Sequence, residues 1–418
     1  MLVLKCNIEI IGKGKNNSEN TKISFDYVSS VVVKTSCKSL SDTADIVLPR
    51  KMQEKASNPL RNKRDSIVDY IKEKKIKRGD EVTIQLGYEE FGLKPVFKGY
   101  ILHIEQGNQL TIKCEDKTFL LKENVFPCNY TEFNFVDFFR DNEGKIGTID
   151  FKDNSNQIFG GMKIEEHLRV DQALDKVIKT YPTIRIFFRY DKYKDGREEK
   201  EASEKLYITE STKPVLDKNK KAPIVFSPEH NILNDSKLTY VDAGDLNLIM
   251  TAETIADCEF VNFKDEKKEN GANKTDEGEG KEDSPKYKKI SSSFPKVDDE
   301  KGYEKRVFIV RENISKALFK KGEKQVEEKD VKDELEKYAK GEYELLKTDR
   351  VSGSFTAFGE PFVQKGDLVE FQYGDLRPEM NGKVFIVDAV DYSFGKDGYR
   401  QTITLGYQTE PENKTTKS

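Results

Sequence analysis

Tryptophan is absent from this 418-residue chain, histidine occurs three times and cysteine five times. Each scarcity narrows the field. His103, His167 and His230 stand far apart, and none has a triad partner or a second metal ligand at a characteristic spacing. Cys6, Cys37, Cys114, Cys128 and Cys258 are odd in number and widely spaced, with no C-x-x-C pair. They read as small buried hydrophobes rather than disulfides or metal ligands. No run approaches the roughly 20 apolar residues of a membrane helix, so no membrane segment is expected. The N-terminus, Met1-Leu2-Val3-Leu4-Lys5-Cys6, lacks the basic start and longer apolar run of a signal peptide. Positive charge is not in excess either. Lys and Arg total 71 against 75 Asp and Glu, and without a basic surplus to neutralise phosphates no tight nucleic-acid binding is expected. There is no G-x-S-x-G elbow and no phosphate-binding glycine loop, and Gly12-Lys13-Gly14-Lys15 reads as a hairpin tip. No catalytic residue, cofactor or metal is assigned.

What is present is alternation. Only 36% of residues are hydrophobic and 35% are charged, so cores must be small and separate. Residues 24–49 place Val31 and Val33, then Ala44, Ile46 and Leu48, on one side of strands that Pro49 stops, and strands resume from Glu81 to about Leu121. Between them, Ile67, Val68, Tyr70 and Ile71 predict a short helix near 64–75. From 122 to 235 the pattern is mixed. An aromatic cluster at 133–139 precedes a helix at Val170–Lys179 with Asp171 as its cap, and a strand runs from Ile184 to Tyr190. Residues 264–283, rich in acids and lysines with Ala272 as the only apolar residue, predict a solvated, flexible loop. A long amphipathic helix is expected over 326–347.

One segment occurs twice. Ile76-Lys-Arg-Gly-Asp-Glu-Val-Thr-Ile-Gln-Leu-Gly87 matches Val363-Gln-Lys-Gly-Asp-Leu-Val-Glu-Phe-Gln-Tyr-Gly374 at Gly79/Gly366, Asp80/Asp367, Val82/Val369, Gln85/Gln372 and Gly87/Gly374. Arg78 and Lys365 match in charge. The downstream order repeats too, with Ile101 against Val387 and Gln109-Leu-Thr-Ile112 against Gln401-Thr-Ile403. Gly79, Asp80, Gly366 and Asp367 are therefore assigned as structural turn positions: glycine supplies an unusual backbone angle, and aspartate a side-chain bond to the backbone. Arg78-Gly79-Asp80 as an adhesion motif is set aside, because the second copy is Lys-Gly-Asp and both open a strand. The fold class expected is β-rich α+β. Two similar small β-barrel domains, 1–121 and 236–408, flank an inserted mixed α/β region at 122–235, with a flexible tail at 409–418.

These segments resemble the tail-hub proteins of contractile phages, the late-control-protein family, whose fold is similar to the first part of type VI secretion spike proteins. The resemblance lies in Ser41–Pro49, 76–114, 238–255 and above all Phe358–Asp367, Gly382–Val387 and Tyr399–Ile403. It implies a homotrimer in which two barrels per chain make a ring of approximate sixfold symmetry. That ring would join a sixfold tail-tube protein to a separate, threefold spike protein. The chain would be made in the bacterial cytoplasm and then become part of a virion or injection particle, without enzyme activity. Two alternatives follow from the residues. One is a cell-wall or carbohydrate-cleaving tail enzyme with its active site in 122–235; the other is a carbohydrate-binding β protein, disfavoured by the missing tryptophan.

Overall fold

Alternating apolar side chains build the first seven strands. They are β1 (Leu4–Gly12), β2 (Thr21–Phe25), β3 (Ser30–Ser36), β4 (Thr43–Leu48), β5 (Glu81–Tyr88), β6 (Gly92–Gln106) and β7 (Leu110–Glu115). In β3, Val31 and Val33 are buried while Val32 and Lys34 face out, and in β5 Val82, Ile84 and Leu86 are all buried. This is the two-residue period of a sheet with one wet face. The structure is a computed structural model that describes residues 2–12, 21–49, 76–107, 109–123, 128–130, 134–142, 150–153, 162–164, 169–180, 184–190, 204–210, 222–241, 247–257, 261–262, 287–310, 326–347 and 350–409. The helix near 64–75, residues 13–15 of the hairpin tip, the charged loop 264–283 and tail residues 410–418 lie outside those described.

The middle of the chain makes a separate layer from α1 (Phe119–Glu123), β8 (Cys128–Tyr130), α2 (Phe135–Asp141), β9 (Asp150–Asp153), β10 (Met162–Ile164), α3 (Val170–Thr180), β11 (Ile184–Tyr190) and β12 (Glu204–Glu210). The Asn134 side chain caps α2 by accepting the Asp137 amide. Asp171 is not a cap, because α3 begins at Val170. It lies in the first turn, where a carboxylate suits the helix dipole, and the Arg169 guanidinium forks onto it. Phe138, Phe139, Leu174, Ile178, Ile186, Leu206 and Ile208 share one core.

The remaining strands are β13 (Ile224–Phe226), β14 (Ile232–Val241), β15 (Leu248–Asp257), β16 (Val261–Asn262), β17 (Tyr287–Phe294), β18 (Glu304–Ile309), β19 (Val326–Glu327), β20 (Arg350–Phe358), β21 (Leu368–Phe371), β22 (Val384–Gly395) and β23 (Gly398–Thr409). Strands β17, β15 and β18 form a small sheet. Helix α4 (Glu328–Leu346) packs on it, with Val331, Leu335 and Ala339 against Met250, Ala252 and Ile290. The helix expected over 326–347 is this one.

The principal sheet runs β14-β20-β23-β22-β3-β4-β7-β6-β5-β1-β2, with β21 on β22 and β13 on β21. The sequence repeat is therefore a repeat of topology. The order β3-β4-β7-β6-β5 recurs as β14-β20-β23-β22-β21, and every neighbouring pair in both sets is antiparallel. The long hairpins share a bulge as well. The pairing skips Leu102 between Ile101 and His103 in β6, and Asp388 between Val387 and Ala389 in β22. Beyond these five strands the copies differ, since β1 lies antiparallel to β5 whereas β13 lies parallel to β21. One joint, β3 antiparallel to β22, makes a single sheet of both copies, and their buried side chains form one cluster.

Candidate functional site

The two Gly-Asp turns are built from the same bonds. In the first, Gly79 has φ +84°, its amide donates to the Ile101 carbonyl at 2.9 Å, and the Ile101 amide returns a bond to the Asp80 carbonyl at 2.9 Å. The Asp80 carboxylate accepts the Lys77 amide at 2.8 Å. In the second, Gly366 has φ +80°. Its amide donates to the Val387 carbonyl at 2.7 Å and the Val387 amide donates to the Asp367 carbonyl at 2.9 Å. The Asp367 carboxylate accepts the Gln364 amide at 2.9 Å. All four assigned turn residues thus hold the start of one strand against the middle of the next hairpin. Alanine at Gly79 or Gly366 is expected to cost about 1–2 kcal/mol in each case, the price of left-handed backbone for a residue with a Cβ. At Gly79 an added methyl meets nothing within 4 Å, so denaturation of G79A reads backbone strain alone.

The two turns differ in what surrounds them. Lys365 is buried, and its ammonium bonds both oxygens of Asp42, at 2.7 and 2.6 Å, across the joint between the copies. It also lies 5.2 Å from the centre of the Phe187 ring. Arg189, buried on β11, donates to the Lys365 carbonyl and to the Asp367 carboxylate, each at 2.7 Å. Next to it the Gln364 amide side chain exchanges two 3.2 Å bonds with the backbone of Tyr190. Asp116 completes the cluster by accepting the Asp42 amide at 3.1 Å and the amide and hydroxyl of Thr118. First copy, second copy and middle layer thus meet at one buried set of charges. Such an arrangement fixes relative position. A buried pair earns little net stability, but losing one partner strands the other.

Burial holds the Asp42 carboxyl above its ordinary range, opposed by Lys365, and pushes Asp116 up to about 8, with the Asp42 charge adding to the effect. The sign follows. A carboxyl that binds its proton more tightly when folded stabilises the fold below its unfolded value, and loses that contribution as pH rises through the folded one. Unfolding free energy should therefore fall between about pH 4 and pH 8 by up to about 1.4 kcal/mol per pH unit. Urea titrations of the wild type and D116N across this window check it. The variant should lose most of the slope, and equal slopes would contradict the assignment.

The surroundings of the two turns are not legible in the sequence. Lys365 was matched to Arg78 by charge, yet Arg78 stacks over Phe119 while Lys365 reaches Asp42. Arg185 and Arg189 carried a usable signal: two cations in the run Ile-Arg-Ile-Phe-Phe-Arg-Tyr, all seven residues of which are buried, must find anionic or carbonyl partners. His103 lies half exposed beside Glu105 at 3.0 Å, because it alternates to the wet face of β6. Cys6, Cys37 and Cys114 are buried and free, and burial pushes the Cys37 thiol up to about 12. Among the described residues no group of three or more His, Cys, Asp or Glu side chains is placed to hold a metal ion, and no helix is long and apolar enough to cross a membrane.

No family model matches the chain and no curated protein matches it. Among solved structures it is similar to the 43 kDa tail protein of prophage MuSo2 from Shewanella oneidensis, at 14% identity over 96% of this chain and 98% of that one, with a TM-score of 0.48. It is also similar to a tail protein of Neisseria meningitidis MC58, at 12% identity over 97% of each chain and a TM-score of 0.49. A third likeness is to the E. coli c3393 protein, a component of the type VI secretion system, at 10% identity over 96% of this chain and 79% of that one, with a TM-score of 0.48.

Proposed function

We propose that this chain is the structural hub of a phage-type tail or baseplate, or of a related contractile injection system. Each chain contributes two barrel-like modules, one from the first 121 residues and one completed by the strands up to Thr409. Three chains close into a ring of approximate sixfold symmetry that joins a sixfold tail tube to a separate threefold spike. The observation that carries this reading is the repeated five-strand order, with the same glycine geometry, bonds and bulge in both copies. Two like modules per chain are what a threefold assembly needs to offer six near-equivalent seats. Its work is positional rather than catalytic, and the buried charges around Lys365 hold the two modules and the middle layer in fixed relation. The chain is made in the cytoplasm and acts within the particle.

Mass measurement of the full chain, alone and mixed with the tube and spike proteins of its own particle, tests the proposal. A three-chain species that binds both supports it. A chain that stays monomeric and binds neither overturns it.

A further inference from the structure

The joint between the two copies uses strand equivalents that each copy also presents elsewhere. Inside the chain, β3 lies antiparallel to β22, with Ser36 opposite Ala389, Thr35 opposite Val390, Lys34 opposite Asp391 and Val33 opposite Tyr392. The topological repeat makes β14 the counterpart of β3, and β6 the counterpart of β22. Aligning the bulges puts His103, Ile104, Glu105 and Gln106 in the places of Ala389, Val390, Asp391 and Tyr392. Following the pairings through β4 and β20 puts Leu238, Thr239, Tyr240 and Val241 in the places of Val33, Lys34, Thr35 and Ser36. The facing directions agree at Leu238 and Val33, both buried, at Thr239 and Lys34, both exposed, and at Glu105 and Asp391, both exposed, whereas Gln106 is exposed where Tyr392 is buried.

Among the described residues β14 pairs with β20 alone, and β6 beyond the Gly-Asp turn, His103 to Gln106, pairs with β7 alone. Each counterpart in the internal joint has a strand on both sides. The difference shows in exposure: Thr35 is 6% exposed within the joint, while its equivalent Tyr240 is 51% exposed. An edge of this kind is a template for another strand, and its occupant is defined by the joint already present.

We infer that β14 of one chain pairs antiparallel with the His103–Gln106 edge of β6 in a second copy, repeating between chains the β3–β22 joint found within the chain. The register is Leu238 opposite Gln106, Thr239 opposite Glu105, Tyr240 opposite Ile104 and Val241 opposite His103. The contact is head-to-tail. Each copy offers β14 to one neighbour and β6 to the other, so the rotation that relates the copies within a chain is repeated around a ring until it closes. This rests on the hub reading and specifies the surface through which its chains assemble.

Facing residues of an antiparallel pair have Cα atoms about 4.5–5.5 Å apart, within disulfide range. The test is a full-length E105C/T239C double variant, oxidised mildly alone and with the tube and spike proteins, beside each single variant and the I104C/T239C pair, whose side chains face opposite ways. The expected result is a covalent ladder ending at three chains in the double variant, lost in both single variants and in the mismatched pair. Linkage by E105C alone would mean a twofold contact and overturn the inference. So would a three-chain mass without E105C/T239C linkage, which leaves the hub reading standing. No assembly under any condition overturns both.

Discussion

Lys365→Met should lower the unfolding free energy by about 3–5 kcal/mol at neutral pH, because it leaves the Asp42 carboxylate buried without its cation. Methionine has nearly the length of lysine and fills the space beside Phe187, so the loss reports charge rather than a cavity. What remains on Asp42 is the Ser36 amide at 3.1 Å, with Asp116 as its neighbour. The double variant K365M/D42N should recover most of the loss, since it removes the stranded charge along with its partner. Urea unfolding followed by circular dichroism and tyrosine fluorescence checks both, the chain having no tryptophan to report. A K365M protein within about 0.5 kcal/mol of the wild type would show that the pair holds nothing together.

Arg189→Met is expected to cost a similar amount, about 3–5 kcal/mol, by stranding the buried Asp367 carboxylate and the Lys365 carbonyl together. Here the repeat supplies an internal control. Amide hydrogen exchange at Gly366 and Val387, whose bonds to Val387 and Asp367 form the second turn, should quicken in R189M. The equivalent amides of Gly79 and Ile101, in a turn that Arg189 does not touch, should keep their wild-type rates. Equal acceleration at both turns would mean general loosening, and no acceleration would remove Arg189 from the clasp.

Much of the fold was legible because it is local. The inward faces of β3, β4 and β5 follow from which alternate residues are apolar. The Gly-Asp turns follow from glycine at positive φ and a carboxylate three residues from the amide it accepts. The length of α4 follows from Val331, Leu335 and Ala339 at helical spacing. Asp171 is not the cap because the cap position, Arg169, lies two residues before it, and only backbone geometry fixes where the helix begins.

The chain's own residues determined the repeat, its turns and the strand-rich class, since each depends on chemistry within a few positions along the backbone. Tertiary structure alone decided that β3 joins β22, that Lys365 of the second turn reaches Asp42 of the first copy, and that Arg189 crosses from the middle layer to the turn. Those contacts join residues 176 or more positions apart. A charge in a sequence carries its sign but not its partner, and the partner is chosen only when burial leaves it no water.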